Sequence, residues 1–199
     1  MRRGFSLIEI LIVVVIGFSI VLVVSQFSNN INILNGLVNV GLQSKSDISQ
    51  TLQIMTTEIR SATMAQNGAY AIDTATTSSF GFYSDINKNG TVEHVRYFLA
   101  SSSLWKGVVI PTGTPAQYVT SSEVLTDVAD GVMVGSSTPL FQYYDASYTG
   151  TQAPLAQPVT VSSIRLVGIA FSVTTKASSS PSSTTAYQTL VDIRNLRSN

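Results

Sequence analysis

Apolar residues are arranged differently in successive stretches of this chain. From residue 7 to 24 the sequence is nearly continuous hydrocarbon, LIEILIVVVIGFSIVLVV, broken only by Glu9, Gly17 and Ser19. With Phe5 and Phe27 at its flanks this run approaches the ~20 residues that a helix needs to cross a bilayer, and it predicts a transmembrane helix over residues 5–27. Residues 28–41, SNNINILNGLVNVG, carry several Asn and Gly, which are poor helix formers, and predict a bend or local melting. Then Ile48, Leu52, Met55, Ile59 and Ala62 recur at steps of four and three. That is the stripe of an amphipathic helix, with Lys45, Asp47, Gln53 and Arg60 elsewhere on its circumference. The helix is expected to continue over 28–66 and to dock this stripe on a sheet.

Beyond residue 78 the pattern changes to short runs of Val, Ile, Tyr and Phe bounded by Gly, Pro, Asn and Ser. Strands are predicted over 80–84, 92–99, 104–109, 124–128, 140–144, 164–173 and 186–194. Alternation puts Tyr187, Thr189, Val191 and Ile193 on one face of the last strand, and Val95, Tyr97 and Leu99 in an inner row of the second. Linkers are expected at 111–122, 146–162 and 174–185, the last being the low-complexity TTKASSSPSSTT. A long helix followed by strands with short turns predicts class α+β: one N-terminal helix, half transmembrane and half amphipathic, packed on antiparallel sheet.

Charge orients the apolar run. Arg2 and Arg3 precede it and the next cation is Lys45, so the positive-inside bias keeps the N-terminus cytoplasmic and places the β-rich residues 67–199 outside. A secretory signal peptide ends in a small-residue cleavage site, and SQFSNN after Val24 supplies none. Only 11% of the residues are charged and the formal net charge is zero, so no overall basic field attracts nucleic acid. The chain has no cysteine, which removes disulfides and thiolate chemistry and leaves an extracytoplasmic domain to be held by its own core.

Glu9 is the anomaly, because a carboxylate within an apolar span costs up to a few kcal/mol unless a cation compensates it. Gly4-Phe5-Ser6-Leu7-Ile8-Glu9, after a short basic leader and before an apolar helix, resembles the N-terminal signal of type IV pilins and type II secretion pseudopilins. The resemblance implies a pilin-like fold and a leader over residues 1–4. It implies cleavage after Gly4 and N-methylation at Phe5 by a prepilin peptidase/methylase. It also implies that Glu9 pairs with the N-terminal amine of a neighbouring subunit. The soluble part, with FGFYSDINKNGTVEHVRYFL, LWKGVV, FQYYDAS, a strand beginning near Ile164 and a final VDIRNL, is similar to J-type minor pseudopilins and W-type minor pilins. Implied partners are other pilins or pseudopilins, an inner-membrane assembly platform and a cytoplasmic ATPase; the implied location is a single-pass membrane protein that enters a pilus or pseudopilus.

Local chemistry is sparse. Asp85, Asn87, Asn89, Thr91 and Glu93 space oxygen atoms at alternate positions with Gly90 at the sixth, the beginning of a calcium loop, although Arg96 stands where a bidentate Glu would close an EF-hand. Asn89-Gly90 between two β runs is equally a metal-free hairpin signal, with positive φ at both residues, and that reading is preferred. His94, the single histidine, is expected at the surface of a strand. Tyr83, Trp105, Tyr143, Tyr144 and Tyr148 are expected mainly in core and cross-strand pairs, the alternative being a binding face. No nucleophile elbow, Walker loop, zincin motif or dinucleotide turn is present, so no enzymatic role and no cofactor other than calcium is expected. A minor pilin or pseudopilin serving secretion or pilus assembly is the first expectation. The alternatives are a membrane-anchored extracellular binding module and a minor pilin of a DNA-uptake system.

Overall fold

The computed structural model describes residues 7–135, 138–175 and 183–196, with the backbone alone at 27, 29–47, 175 and 183. They fall into two compact units, one reaching residue 45 and the other beginning at Ser46. The helix α1, Leu7–Arg60, contributes to both. Its apolar section Leu7–Gln26 has a mean hydropathy of 3.2 and buries none of its residues within the chain. That section is long and apolar enough to cross a membrane, and a helix is the conformation that satisfies every backbone polar group internally in hydrocarbon. The hydroxyl of Ser19 does the same, donating to the Val15 carbonyl at 2.8 Å. The backbone is helical through 28–41, where a bend or local melting was expected, so the helix does not melt there. Propagating an established helix through weak residues costs far less than nucleating a new one.

The second unit is built around the other end of α1. Ile48, Met55 and Ile59 are buried and Leu52 is half-buried, as the stripe predicted. The helix stops at Arg60, earlier than the expected residue 66. The Ser61 hydroxyl takes up the Glu58 carbonyl at 2.9 Å, and the Thr63 N–H is drawn away to the Tyr83 carbonyl at 2.8 Å. Ala62, last in the stripe, is fully buried just beyond the helix end.

Two antiparallel sheets complete the unit. The first runs in the order β1-β2-β3-β4-β5, comprising Ile72–Ala75, Ser79–Ser84, Glu93–Ala100, Ser103–Val109 and Val124–Ala129. In the second, β8 (Leu166–Thr175) pairs along its whole length with β9 (Ser183–Asp192) and on its other side with β6 (Val132–Met133) and β7 (Phe141–Tyr144). Sequence reading missed β1, whose IDTA lies among Thr and Ser, and β6, which has only two residues. It also began β8 too early and β9 too late in the chain, at 164 and 186 by expectation: β8 starts at Leu166, and β9 starts at Ser183, inside the predicted linker. Thr174 and Thr175 belong to β8, and the middle of that linker, 176–182, lies outside the described residues. The linker at 111–122 contains its own bridge between Thr112 and Gln117 and a 3-10 turn, Thr120–Ser122; another such turn, Val161–Ser163, closes the linker at 146–162.

One apolar core joins α1 to both sheets. Phe80 and Phe82 of β2, Val95 and Tyr97 of β3, Phe141 and Tyr143 of β7, Val167 and Ile169 of β8 and Val191 of β9 meet Met55 and Ile59 there. Phe80 lies within 6 Å, ring centre to ring centre, of Phe82, Phe141 and Tyr143, which links the two sheets. The fold class is therefore α+β, an N-terminal apolar helix followed by antiparallel sheets.

Candidate functional site

Two carboxylates near opposite ends of α1, Glu9 and Glu58, are placed very differently. Glu9 lies in the first turn, where the helix dipole favours negative charge. It is exposed among exposed Leu, Ile and Val side chains and has no hydrogen-bond or ion-pair partner among the described residues. Gly4 and Phe5, the expected cleavage and methylation positions, lie outside the described residues.

Glu58 is buried at the sheet. One carboxylate oxygen meets Lys106 Nζ of β4 at 2.5 Å and the other accepts the Tyr97 hydroxyl of β3 at 2.7 Å. Burial, reinforced by the Glu58 charge, raises the Tyr97 phenol far above its ordinary value. Both oxygens of Glu58 are thus satisfied, which is the condition under which a low-dielectric site tolerates a charge.

The loop after β2 displays the predicted oxygen atoms but turns them onto its own backbone. Asp85 accepts the Asn89 and Gly90 N–H groups at 3.1 and 2.9 Å, Asn87 shares the Asn89 N–H, and Asn89 accepts the Thr91 N–H at 2.7 Å. Glu93 is buried and takes the Ile86 N–H and the Asn87 amide. The expected positive φ at Asn89-Gly90 is found instead at Lys88 (59°) and Gly90 (86°). The connection is accordingly a wider loop stitched by side chains, not a two-residue turn. Among the described residues no three His, Cys, Asp or Glu side chains converge as a metal group would.

The outer face of the first sheet carries an ionic row that the sequence did not announce. Arg96 of β3 stands opposite Gly81 on one side and Gly107 on the other. Glu123 lies across Gly107 to grip Arg96 with two bonds of 3.0 and 2.7 Å, and a methyl group on Gly107 would collide with a Glu123 oxygen. Asp73 lies likewise across Gly81 and reaches His94 Nε2 at 2.9 Å. His94 is therefore not the plain surface residue expected; it is hydrogen-bonded to Asp73 and packed beside the rings of Tyr83 and Tyr118. The Glu123 hydrogen bonds raise the Arg96 guanidinium above its ordinary range, so the guanidinium keeps its charge. The signal that would have revealed it is a pair of strand glycines flanking an arginine, legible only once strand register is known. Of the remaining aromatics, Tyr83, Tyr143 and Tyr144 are buried, while Trp105 and Tyr148 are half-buried.

Searches against protein-family models and against curated proteins return no match for this chain.

Proposed function

We propose that this protein is a minor subunit of a pilin-like filament, a type II secretion pseudopilus or a type IV pilus. The observation that carries the reading is the state of Leu7–Gln26: a fully exposed apolar helix with a single unpartnered carboxylate near its start. Such a surface needs hydrocarbon or other helices around it, and such a carboxylate needs a cation that the described residues do not provide. Sister subunits of a helical bundle supply both. In this reading a prepilin peptidase cuts the precursor after Gly4 and methylates Phe5. The new amine of one subunit meets Glu9 of the next, and an assembly platform driven by a cytoplasmic ATPase extrudes the filament. Arg2 and Arg3 hold the N-terminus inside and leave the β-rich unit outside the membrane. The work is mechanical, in secretion or pilus assembly.

Intact-mass measurement of the protein isolated from its native membrane tests the reading. The expected species begins at a methylated Phe5. A mature protein that retains Met1 or Arg2 overturns it.

A further inference from the structure

Three elements of the second unit meet around a cavity of about 480 Å³: the last turn of α1, the loop after β2 and the 3-10 turn Arg194–Leu196. Each contributes a cation to the wall, Arg60, Lys88 and Arg194. The wall also holds two carboxylates, and both are directed to other partners. Glu58 is taken by Lys106 and Tyr97, and Asp85 by the N–H groups of Asn89 and Gly90. Among the described residues no carboxylate pairs with Arg60, Lys88 or Arg194.

The three positions are held in place. Arg60 follows the buried Ile59, and Arg194 stands between the buried Ile193 and Leu196. Asn195 ties that turn to the helix end by donating to the Ala62 carbonyl at 3.0 Å. Lys88 adopts a left-handed φ of 59° in a loop fixed by side-chain hydrogen bonds. That conformation costs an L-residue about 1 kcal/mol or more and is cheapest for Gly or Asn, so a lysine there keeps its side chain at a conformational cost. Glu58 is balanced by Lys106, and Asp85 keeps its charge but turns its oxygens onto its own loop, so the three cations leave the cavity wall with a surplus of positive charge, a receptor for negative charge.

We infer that this cavity docks an acidic segment of a partner protein, one presenting at least two carboxylates. Its volume lies in the range of pockets that hold whole small-molecule ligands and far exceeds a single phosphate. Arg60 and Arg194 provide planar forks suited to carboxylates, and Lys88 provides a point charge. Ile86 adds an apolar wall for the stems of acidic side chains. All of these residues belong to the second unit, so the inference stands or falls separately from the filament reading.

Binding of fluorescently labelled tetraglutamate to the full chain in detergent, followed by anisotropy, provides the test, with tetraglutamine and inorganic phosphate as comparison probes. Tetraglutamate is expected to bind and to be released as sodium chloride rises from about 0.05 to about 0.5 M; tetraglutamine is not expected to bind. Lys88→Gly suits the local backbone, so it should leave the melting temperature unchanged or higher while weakening tetraglutamate binding by about tenfold. Arg194→Gln should weaken it comparably. The inference is overturned if tetraglutamate does not bind, if both variants bind it as the parent does, or if phosphate at equal concentration displaces it.

Discussion

The same helix is stabilised in two unrelated ways along its length. Between Leu7 and Gln26 every residue is exposed, and the apolar side chains find no cover within the chain. Between Ile48 and Arg60 one stripe is buried in a core shared with both sheets and the opposite side faces water. Glu9 and Glu58 sharpen the contrast. The first has no described partner; the second has a lysine and a tyrosine that between them occupy both oxygens. A stretch whose contacts lie inside the chain specifies a fold, and a stretch whose contacts are missing specifies an environment.

The sharpest way to break this comparison is to remove the two carboxylates one at a time. Glu58→Ala leaves Lys106 and the Tyr97 hydroxyl without their partner in a buried site, and should cost about 3–5 kcal/mol. It should appear as a large fall in the thermal midpoint read from Trp105, the single tryptophan, on β4. Glu9→Ala should leave that midpoint where it was and lower co-purification with partner subunits. Equal losses of stability from the two variants would erase the distinction.

Alkaline titration sharpens the picture of the interior end. Burial raises the phenols of Tyr97 and Tyr143, so both release protons more readily in the unfolded chain than in the folded one. Their contribution is complete below the ordinary phenol value near pH 10 and is lost as pH climbs beyond it, by up to about 1.4 kcal/mol per pH unit for each group. Tyr97→Phe should flatten that fall in urea midpoints measured from about pH 9 to about pH 11, on either side of the ordinary phenol value; an unchanged slope would show that the phenol is not held as described.

A smaller effect is expected on the sheet's outer face. Gly107→Ala pushes the Glu123 carboxylate off Arg96 and should lower stability by about 1 kcal/mol, the scale of a partly exposed ion pair. The loss should be absent when Glu123 is already Gln, as a double-mutant cycle will read. The smallest concerns Asp127 on β5, whose carboxyl is raised by partial desolvation and then by the neighbouring Asp130. A raised acid stabilises the fold at low pH and ceases to do so as pH passes its folded value. Asp127→Asn should therefore give a slight gain in melting temperature at pH 7 and none at pH 3 (about the acidic side of an ordinary carboxyl).

Much of this architecture was legible before any coordinates. β2 to β5 and β7 fall where short runs of Val, Phe, Tyr and Leu bounded by turn residues predicted them, and β3 buries the alternate row that its residue types announce. The buried stripe of α1 was read from spacing alone. What escaped reading depends on partners distant in the chain. β1 has almost no apolar signal and is a strand because β2 offers it an edge. Lys106 and Glu58 are 48 positions apart, and nothing local couples them. The glycines opposite Arg96 look like weak points in strands until register shows that each makes room for a carboxylate. At the expected filament site, Glu9 was conspicuous for the opposite reason, since a charge in an apolar run contradicts its surroundings.

The bond from Asn195 to the Ala62 carbonyl joins positions 133 apart, and it brings the buried Ile193 and Leu196 against the helix end. During synthesis the helix leaves the ribosome early, whereas these residues leave more than a hundred positions later. The stripe of α1 therefore waits, uncovered, while the sheets that will shelter it are still being made, and a fold with contacts this distant closes slowly. In that interval Met55 and Ile59, fully buried in the finished fold, have no cover. The length of that exposure is set by how quickly the last strand arrives.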